Sequence, residues 1–195
     1  MDFREFSIKG LQLCGVSTNA RGNKISNIKC ENQQIRLQLG QKEEPLRCPF
    51  GASSWADLVT ERLSMCFSST PELEAFFNAF DERVIELVAE NSNTYLGQPL
   101  DLEAIRQMYV PIMKSGKGEY SPTIRTKINA NNGRYGLKCF TPDAEPRELL
   151  KEFRDCKILP CVEFMHIWFQ NKQFGVTLLT THAMIFEEQD KCPFI

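Results

Sequence analysis

Residues 159–169, LPCVEFMHIWF, and residues 174–186, FGVTLLTTHAMIF, flank the turn Gln170-Asn171-Lys172-Gln173. Both arms are apolar and rich in β-branched and aromatic side chains, which is the composition of paired strands with at least one buried face. Strict alternation puts Val162, Phe164, His166 and Trp168 on one face, and Cys161, Glu163, Met165, Ile167 and Phe169 on the other. If Asn171-Lys172 is a two-residue loop, Trp168 stands opposite Gly175 and His166 opposite Thr177. A ring in that position either covers the missing side chain or offers a platform on which a base stacks, and both roles stay open. His166 reads as a satisfied strand residue rather than a catalytic base.

Working outward, Gln34-Ile35-Arg36-Leu37-Gln38-Leu39 alternates with period two and predicts another half-buried strand. Upstream, the Ile8 to Val16 run, the turn chemistry of Asn19-Ala20-Arg21-Gly22-Asn23 and the weaker run through Ile25 and Ile28 are also strand-like. Pro45 and Pro49 make residues 40–49 a loop. The clearest helix spans Thr70 to Glu90. Thr70 is its N-cap, Pro71 its first residue, and Glu72 and Glu74 complement the dipole. Leu73, Phe76, Phe77, Phe80, Val84, Leu87 and Val88 form one stripe at 3.6-residue spacing, while Asp81, Glu82, Glu86 and Glu90 fall on the polar side. A short helix is expected within Phe50 to Phe67, where Trp55, Leu58, Val59, Leu63 and Cys66 recur at helical spacing. Asn91 to Gln98 reads as a turn-rich linker. Asp101 to Tyr109 reads as a second helix, and Leu149, Leu150 and Phe153 suggest a third. The predicted architecture is α+β, a β-barrel or curved antiparallel sheet in one domain over 1–195. Its β-rich parts are 1–50 and 112–190, with a helical insertion at about 53–110.

Charge is distributed unevenly. Residues 106–138, RQMYVPIMKSGKGEYSPTIRTKINANNGRYGLK, hold seven bases against the single acid Glu119, so this segment is +6 in a chain whose net charge is −2. Tyr109, Tyr120 and Tyr135 are interleaved with the cations. Lys114 and Lys117, the latter between Gly116 and Gly118, lie in a cationic loop that lacks the spacing of a phosphate loop. Thr123 to Ile128 and Arg134 to Phe140 alternate about the turn at Asn129 to Gly133, predicting a hairpin with Arg125, Lys127, Arg134 and Lys138 as its basic side chains. Cations at strand spacing beside aromatic rings suit a flexible polyanion whose bases stack.

Other classes find less support. No CxxC pair occurs among the eight cysteines, and neither His166 nor His182 completes a ligand pattern, so free thiols are expected and no metal or cofactor. No nucleophile elbow, HExxH or complete phosphate loop is present, so no catalytic residue is assigned and the chain reads as a non-enzyme. The charged start MDFREFSIKG and the lack of a long apolar run predict an intracellular protein, nuclear or cytoplasmic, with no membrane contact.

Ile167-Trp168-Phe169-Gln170-Asn171-Lys172-Gln173-Phe174-Gly175-Val176-Thr177-Leu178, with Ser121-Pro122-Thr123-Ile124-Arg125-Thr126-Lys127-Ile128, resembles the single-stranded-DNA-binding proteins of large double-stranded DNA viruses and phages. The resemblance implies an OB-like barrel and a sequence-tolerant factor of replication, repair or recombination, in the viral case acting inside an infected cell. It implies phosphate contacts at Arg125, Lys127, Arg134 and Lys138, and base contacts at Tyr120, Tyr135 and Trp168. The expected partner is single-stranded nucleic acid, DNA favoured over RNA, with homo-oligomers left open. The final residues 187–195, EEQDKCPFI, depart from the family in being only mildly acidic. The competing class is a structural or interaction module whose basic hairpin docks an acidic protein partner.

Overall fold

The computed structural model describes residues 1–54, 62–116, 121–131, 134–148 and 153–186; at 52–54, 62–63, 129–131 and 134–135 only the backbone is described. After two short 3-10 turns, the first half of the chain contributes β1 (Leu11–Thr18), β2 (Lys24–Cys30), β3 (Gln33–Gln38), β4 (Leu46–Arg47), β5 (Ala52–Ser54) and β6 (Arg62–Ser68). Three helices follow: α1 (Pro71–Glu90), α2 (Ser92–Leu96) and α3 (Leu102–Met108). Next come β7 (Tyr109–Val110), β8 (Met113–Lys114), β9 (Thr123–Asn131), β10 (Arg134–Tyr135), β11 (Lys138–Phe140) and β12 (Pro146–Arg147). The long pair β13 (Lys157–Gln170) and β14 (Gln173–Phe186) completes the chain. All the strands join one sheet whose main order is β1-β2-β3-β13-β14-β9-β6-β5. Among the described residues no ladder links β1 to β5, so the sheet is a curled half-barrel and the fold is α+β. No helix among them is long and apolar enough to cross a membrane.

The β13–β14 hairpin is the spine. Asn171 and Lys172 form its two-residue loop, both with positive φ (52° and 58°), the twist that the flanking strands favour. One edge of β13 is shared by β2, β3 and β4; the opposite edge of β14 is shared by β7, β9 and β11. The three pairings along β14 are parallel and every other strand pairing is antiparallel, so the sheet is mixed where an antiparallel one was expected. Only Leu179 and Lys127 pair between β14 and β9, and the buried hydroxyls of Thr126 and Thr180, 2.6 Å apart, strengthen that thin seam.

One bulge decides which side chains face the core. Phe164 pairs with Leu178 but His166 pairs with Thr177, leaving Met165 as an extra residue. Val162 and Phe164 therefore share the buried face with Ile167 and Phe169, while His166 and Trp168 join Cys161 and Glu163 on the other. This corrects the strict alternation assumed from the sequence.

The helix α1 covers the buried face. The Thr70 hydroxyl accepts from the Leu73 N–H at 3.3 Å, and Phe77 and Phe80 meet the Phe164 ring at centroid distances of 6.3 and 4.7 Å. Phe76, at the margin of the stripe, is covered by Phe3 and Phe6 from the N-terminal turns. Asp81 departs from expectation. It is buried, accepting from the Tyr109 hydroxyl at 2.5 Å and the Ile112 N–H at 3.1 Å, and so locks α1 to the β7–β8 connection.

Three local expectations change. Arg62–Ser68 is a strand paired with β9 along its length, not the end of a helix; residues 55–61 lie outside the described set. Met65 and Phe67 are fully buried by that pairing, and the long-range partner overrides the helical spacing. Ser92–Leu96 is a short helix within the expected linker, closed by Gly97 with φ of 79°. The expected hairpin from Thr123 to Phe140 ends early. The strand β10 returns against β9, but Lys138–Phe140 runs beside β14, a course that buries Leu137 and Cys139. The helix expected at Leu149 and Leu150 falls outside the described residues.

Candidate nucleic-acid interface

The sheet face turned away from α1 is defined by register. On β13 it carries Cys161, Glu163, His166 and Trp168; their β14 partners His182, Leu179, Thr177 and Gly175 lie beside them. Leu179 is buried yet absent from the core cluster beneath α1, as its outward position requires. Arg125 and Lys127 point the same way from β9, because Ile124, Thr126 and Ile128 take the buried positions. On β8, Met113 pairs with Ile124 and Lys114 with Thr123, which places Lys114 on the Arg125 side. Lys138 stands next to His182, and Phe140 stacks on the His182 ring at 5.9 Å.

The candidate residues are placed unequally. Lys114, Lys127 and Lys138 are exposed on this face. Arg125 is half-buried, its Nε donating to Ser64 Oγ at 3.1 Å. Trp168 is half-buried with its ring over Gly175: a Cβ there would lie 2.9 Å from Trp168 Cζ2. The ring therefore has a covering role, and its remaining exposed surface lies on the same face as the lysines. Arg134 and Tyr135 are placed by backbone alone, in register with Asn131 and Ala130; Lys117 and Tyr120 lie outside the described residues. Two members of the basic stretch are elsewhere. Arg106 pairs with Glu82 at 2.7 Å and Glu103 at 3.2 Å on the helical side, and Tyr109 is buried on Asp81.

The charge of Arg21 is felt at Lys127. Arg21 sits in the β1–β2 turn, and β13 and β14 separate β2 from β9 in the sheet. Lys127 is exposed by area, yet enough protein surrounds its amine that burial lowers the pKa, and repulsion from Arg21 lowers it further. The β1–β2 hairpin is bulged at Gly15. Burial lowers the pKa of His166 first and Lys127 second, so its ring is neutral at pH 7. His182 behaves alike, through burial and then Lys138 and Arg36. Arg21 was legible only as part of a turn; nothing in the sequence pairs it with a lysine about a hundred residues away.

The electrostatic contrast between the two sides is the main feature. On the helical side Arg83 binds Glu86 and Glu90, and Arg106 binds Glu82 and Glu103. On the sheet face the one acid positioned by the pairings above, Glu163, is engaged by Arg36 at 2.9 Å. Among the described residues, Arg21, Lys114, Lys127 and Lys138 form no ion pair. The seven described cysteines are free thiols; burial pushes Cys48 up to about 12 and also raises Cys66, which Arg125 and Lys114 oppose. No group of three potential metal ligands is assembled among the described residues.

The class that these features define is an α+β curled sheet with helices on one side and a cationic, aromatic-bearing surface on the other. No protein-family model and no curated protein matches the chain. Among solved structures it is similar to the single-stranded DNA-binding protein from bacteriophage Enc34 in complex with ssDNA, at 9% identity and a TM-score of 0.48, covering 92% of this chain and 97% of that one. A second structure of that phage protein aligns at 8% identity and a TM-score of 0.46 over 94% of this chain and 96% of the other. Its C-terminal truncation aligns at 9% and 0.47 over 92% and 97%. No residue's role is carried across at such identity.

Proposed function

We propose that the sheet face remote from α1 binds single-stranded nucleic acid with little sequence preference, DNA favoured, and that the chain acts as one non-enzymatic unit. The observation that carries this reading is the set of cations Lys114, Lys127 and Lys138 on one face, which form no ion pair among the described residues, while arginines of the helical side are matched with acids. Exposed lysines without counter-charges repel one another and remain available to phosphates, whose condensed counterions they release. The half-exposed rings of Trp168 and Phe140 on the same face supply surfaces for bases. Phosphate contacts of this kind are blind to sequence, and stacking is nearly so. Arg125, Arg134 and Tyr135 belong to the proposed interface by their place on or paired with β9, and Lys117 and Tyr120 are included from the sequence alone. A role in replication, repair or recombination inside a cell follows from this activity as part of the proposal.

The test is fluorescence anisotropy with a labelled oligo-dT of about 30 nucleotides at several salt concentrations, beside duplex DNA and RNA of equal length. The log of affinity should fall linearly with log salt, by about 0.7 per phosphate neutralised, and the single strand should bind more tightly than the duplex. Absence of binding at low salt would leave the basic face to an acidic protein partner.

A further inference from the structure

The strand pairings set the outward residues of this face in rows that cross β14. His182 stands between Cys161 of β13 and Lys138 of β11, and Leu179 between Glu163 of β13 and Lys127 of β9. Thr177 follows beside His166, then Gly175 beside Trp168. Thr181 is an extra residue on β14, because Cys161 pairs with His182 and Val162 with Thr180. From His182 to Leu179 is therefore two regular steps, about 7 Å at ~3.3 Å per residue, and from His182 to Gly175 six, about 20 Å. Both ends of this line are aromatic. Phe140 stacks on the His182 ring with centroids 5.9 Å apart and planes at 22°, both rings half-exposed, and the half-exposed Trp168 ring covers Gly175. Lys138 and Lys127, both exposed, flank the same edge of β14 in the first and second rows, about 7 Å apart along the strand. The acid of the second row, Glu163, is engaged by Arg36 at 2.9 Å.

Resting on the binding function proposed above, we infer that the bound strand runs along β14, with one base on the Phe140–His182 pair, another on Trp168, and Lys138 and Lys127 on successive phosphates, so that about four nucleotides join the two aromatic ends. The spacings match those of a single strand. Each nucleotide of a duplex strand rises ~3.4 Å, and a strand whose bases leave one another to lie on protein rings extends to about twice that. One extended step is then the ~7 Å between the two lysine rows, and three such steps cover the ~20 Å between the aromatic ends. His182 joins the interface through this geometry, its ring widening the surface that Phe140 offers. Burial first, then Lys138 and Arg36, lower its pKa, so it stacks as a neutral imidazole at pH 7.

The experiment follows the His182 imidazole and the Trp168 indole N–H by NMR in the full chain, the latter assigned with Trp55→Phe, during titration with oligo-dT of two and of seven nucleotides. Two thymidines span a single step and cannot join the two ends. Seven reach across even at the duplex rise, six steps of ~3.4 Å. With the longer oligomer both resonances should move together, at one equivalent and with one dissociation constant; with the dinucleotide they should move with separate constants. Stacking at the second end should tighten binding by roughly 5- to 150-fold. Phe140→Leu with His182→Ala, its fold checked by circular dichroism, should weaken the longer oligomer by a factor in that range, and the wild-type titration needs no variant. The inference is overturned if the seven-nucleotide oligomer binds while either resonance stays unmoved, if the two then follow separate constants, or if the folded double variant binds it as tightly as the wild type; each of these leaves the binding function standing. No binding of any oligo-dT at low salt overturns both.

Discussion

Gly175→Ala probes the junction between fold and candidate surface. The added Cβ would sit 2.9 Å from Trp168 Cζ2, 3.2 Å from Cε2 and 3.0 Å from the Val110 carbonyl oxygen, all inside ordinary contact distance. Neither side yields easily. Val110 is backbone held by the parallel pairing of β7 with Phe174 and Gly175, and Trp168 is fixed between its ladder partners Ile25 and Gly175. Overpacking of this kind costs about 1–3 kcal/mol. For a chain of this size each kcal/mol lowers Tm by roughly 2–4 °C, so a fall of about 2–12 °C is expected. Chemical denaturation with tryptophan emission as the probe, in a Trp55→Phe background, reads both the stability loss and a displaced ring in the folded state. In a Trp168→Leu background the same Gly175→Ala change should cost less, because the ring clash is gone and only the carbonyl remains. Unchanged stability with unchanged folded-state emission would refute the covering role assigned to Trp168.

Three other outcomes are expected. Lys127→Ala with Lys138→Ala should leave the circular dichroism spectrum intact, weaken oligo-dT binding and reduce the salt slope by about 1.4, two phosphates at about 0.7 each. Asp81 is raised from the usual 3.8 to about 7, chiefly by burial, against the opposing effect of its hydrogen bonds from Tyr109 and Ile112. The folded state therefore binds more protons than the unfolded one between those values, and this contribution to stability is full below about 4 and lost as pH rises through about 7. It amounts to roughly 4 kcal/mol at most, and in Asp81→Asn urea melts this part of the pH dependence should vanish. Phe164→Ala, which empties the contact with Phe77 and Phe80, should cost about 3–5 kcal/mol in the same melts.

Much of the scaffold was legible in the residues. The α1 cap and stripe are local chemistry, and the two-residue loop of the spine hairpin sets the Trp168–Gly175 and His166–Thr177 pairings that are observed. The Met165 bulge was not legible, because an alternating pattern does not mark which residue is the extra one; the error moved His166 and Trp168 to the wrong face of β13. Residues 62–68 were misread for a related reason. Leu63 and Cys66 share a helical spacing, but a partner strand some sixty residues away decides their conformation. Charge counting located the basic segment without its orientation. Arg106 is spent on Glu82 and Glu103, and Asp81 is buried rather than solvated. Such placements depend on which elements meet, and no local pattern records that.

The most direct measurement is a residue-resolved NMR map of the protein titrated with oligo-dT at low salt. Shifts concentrated on β8 and β9 and at the outward positions of β11, β13 and β14, with α1 and α3 unmoved, are the result expected of the cationic sheet face. Shifts concentrated on the helical side, or none at all, would contradict it.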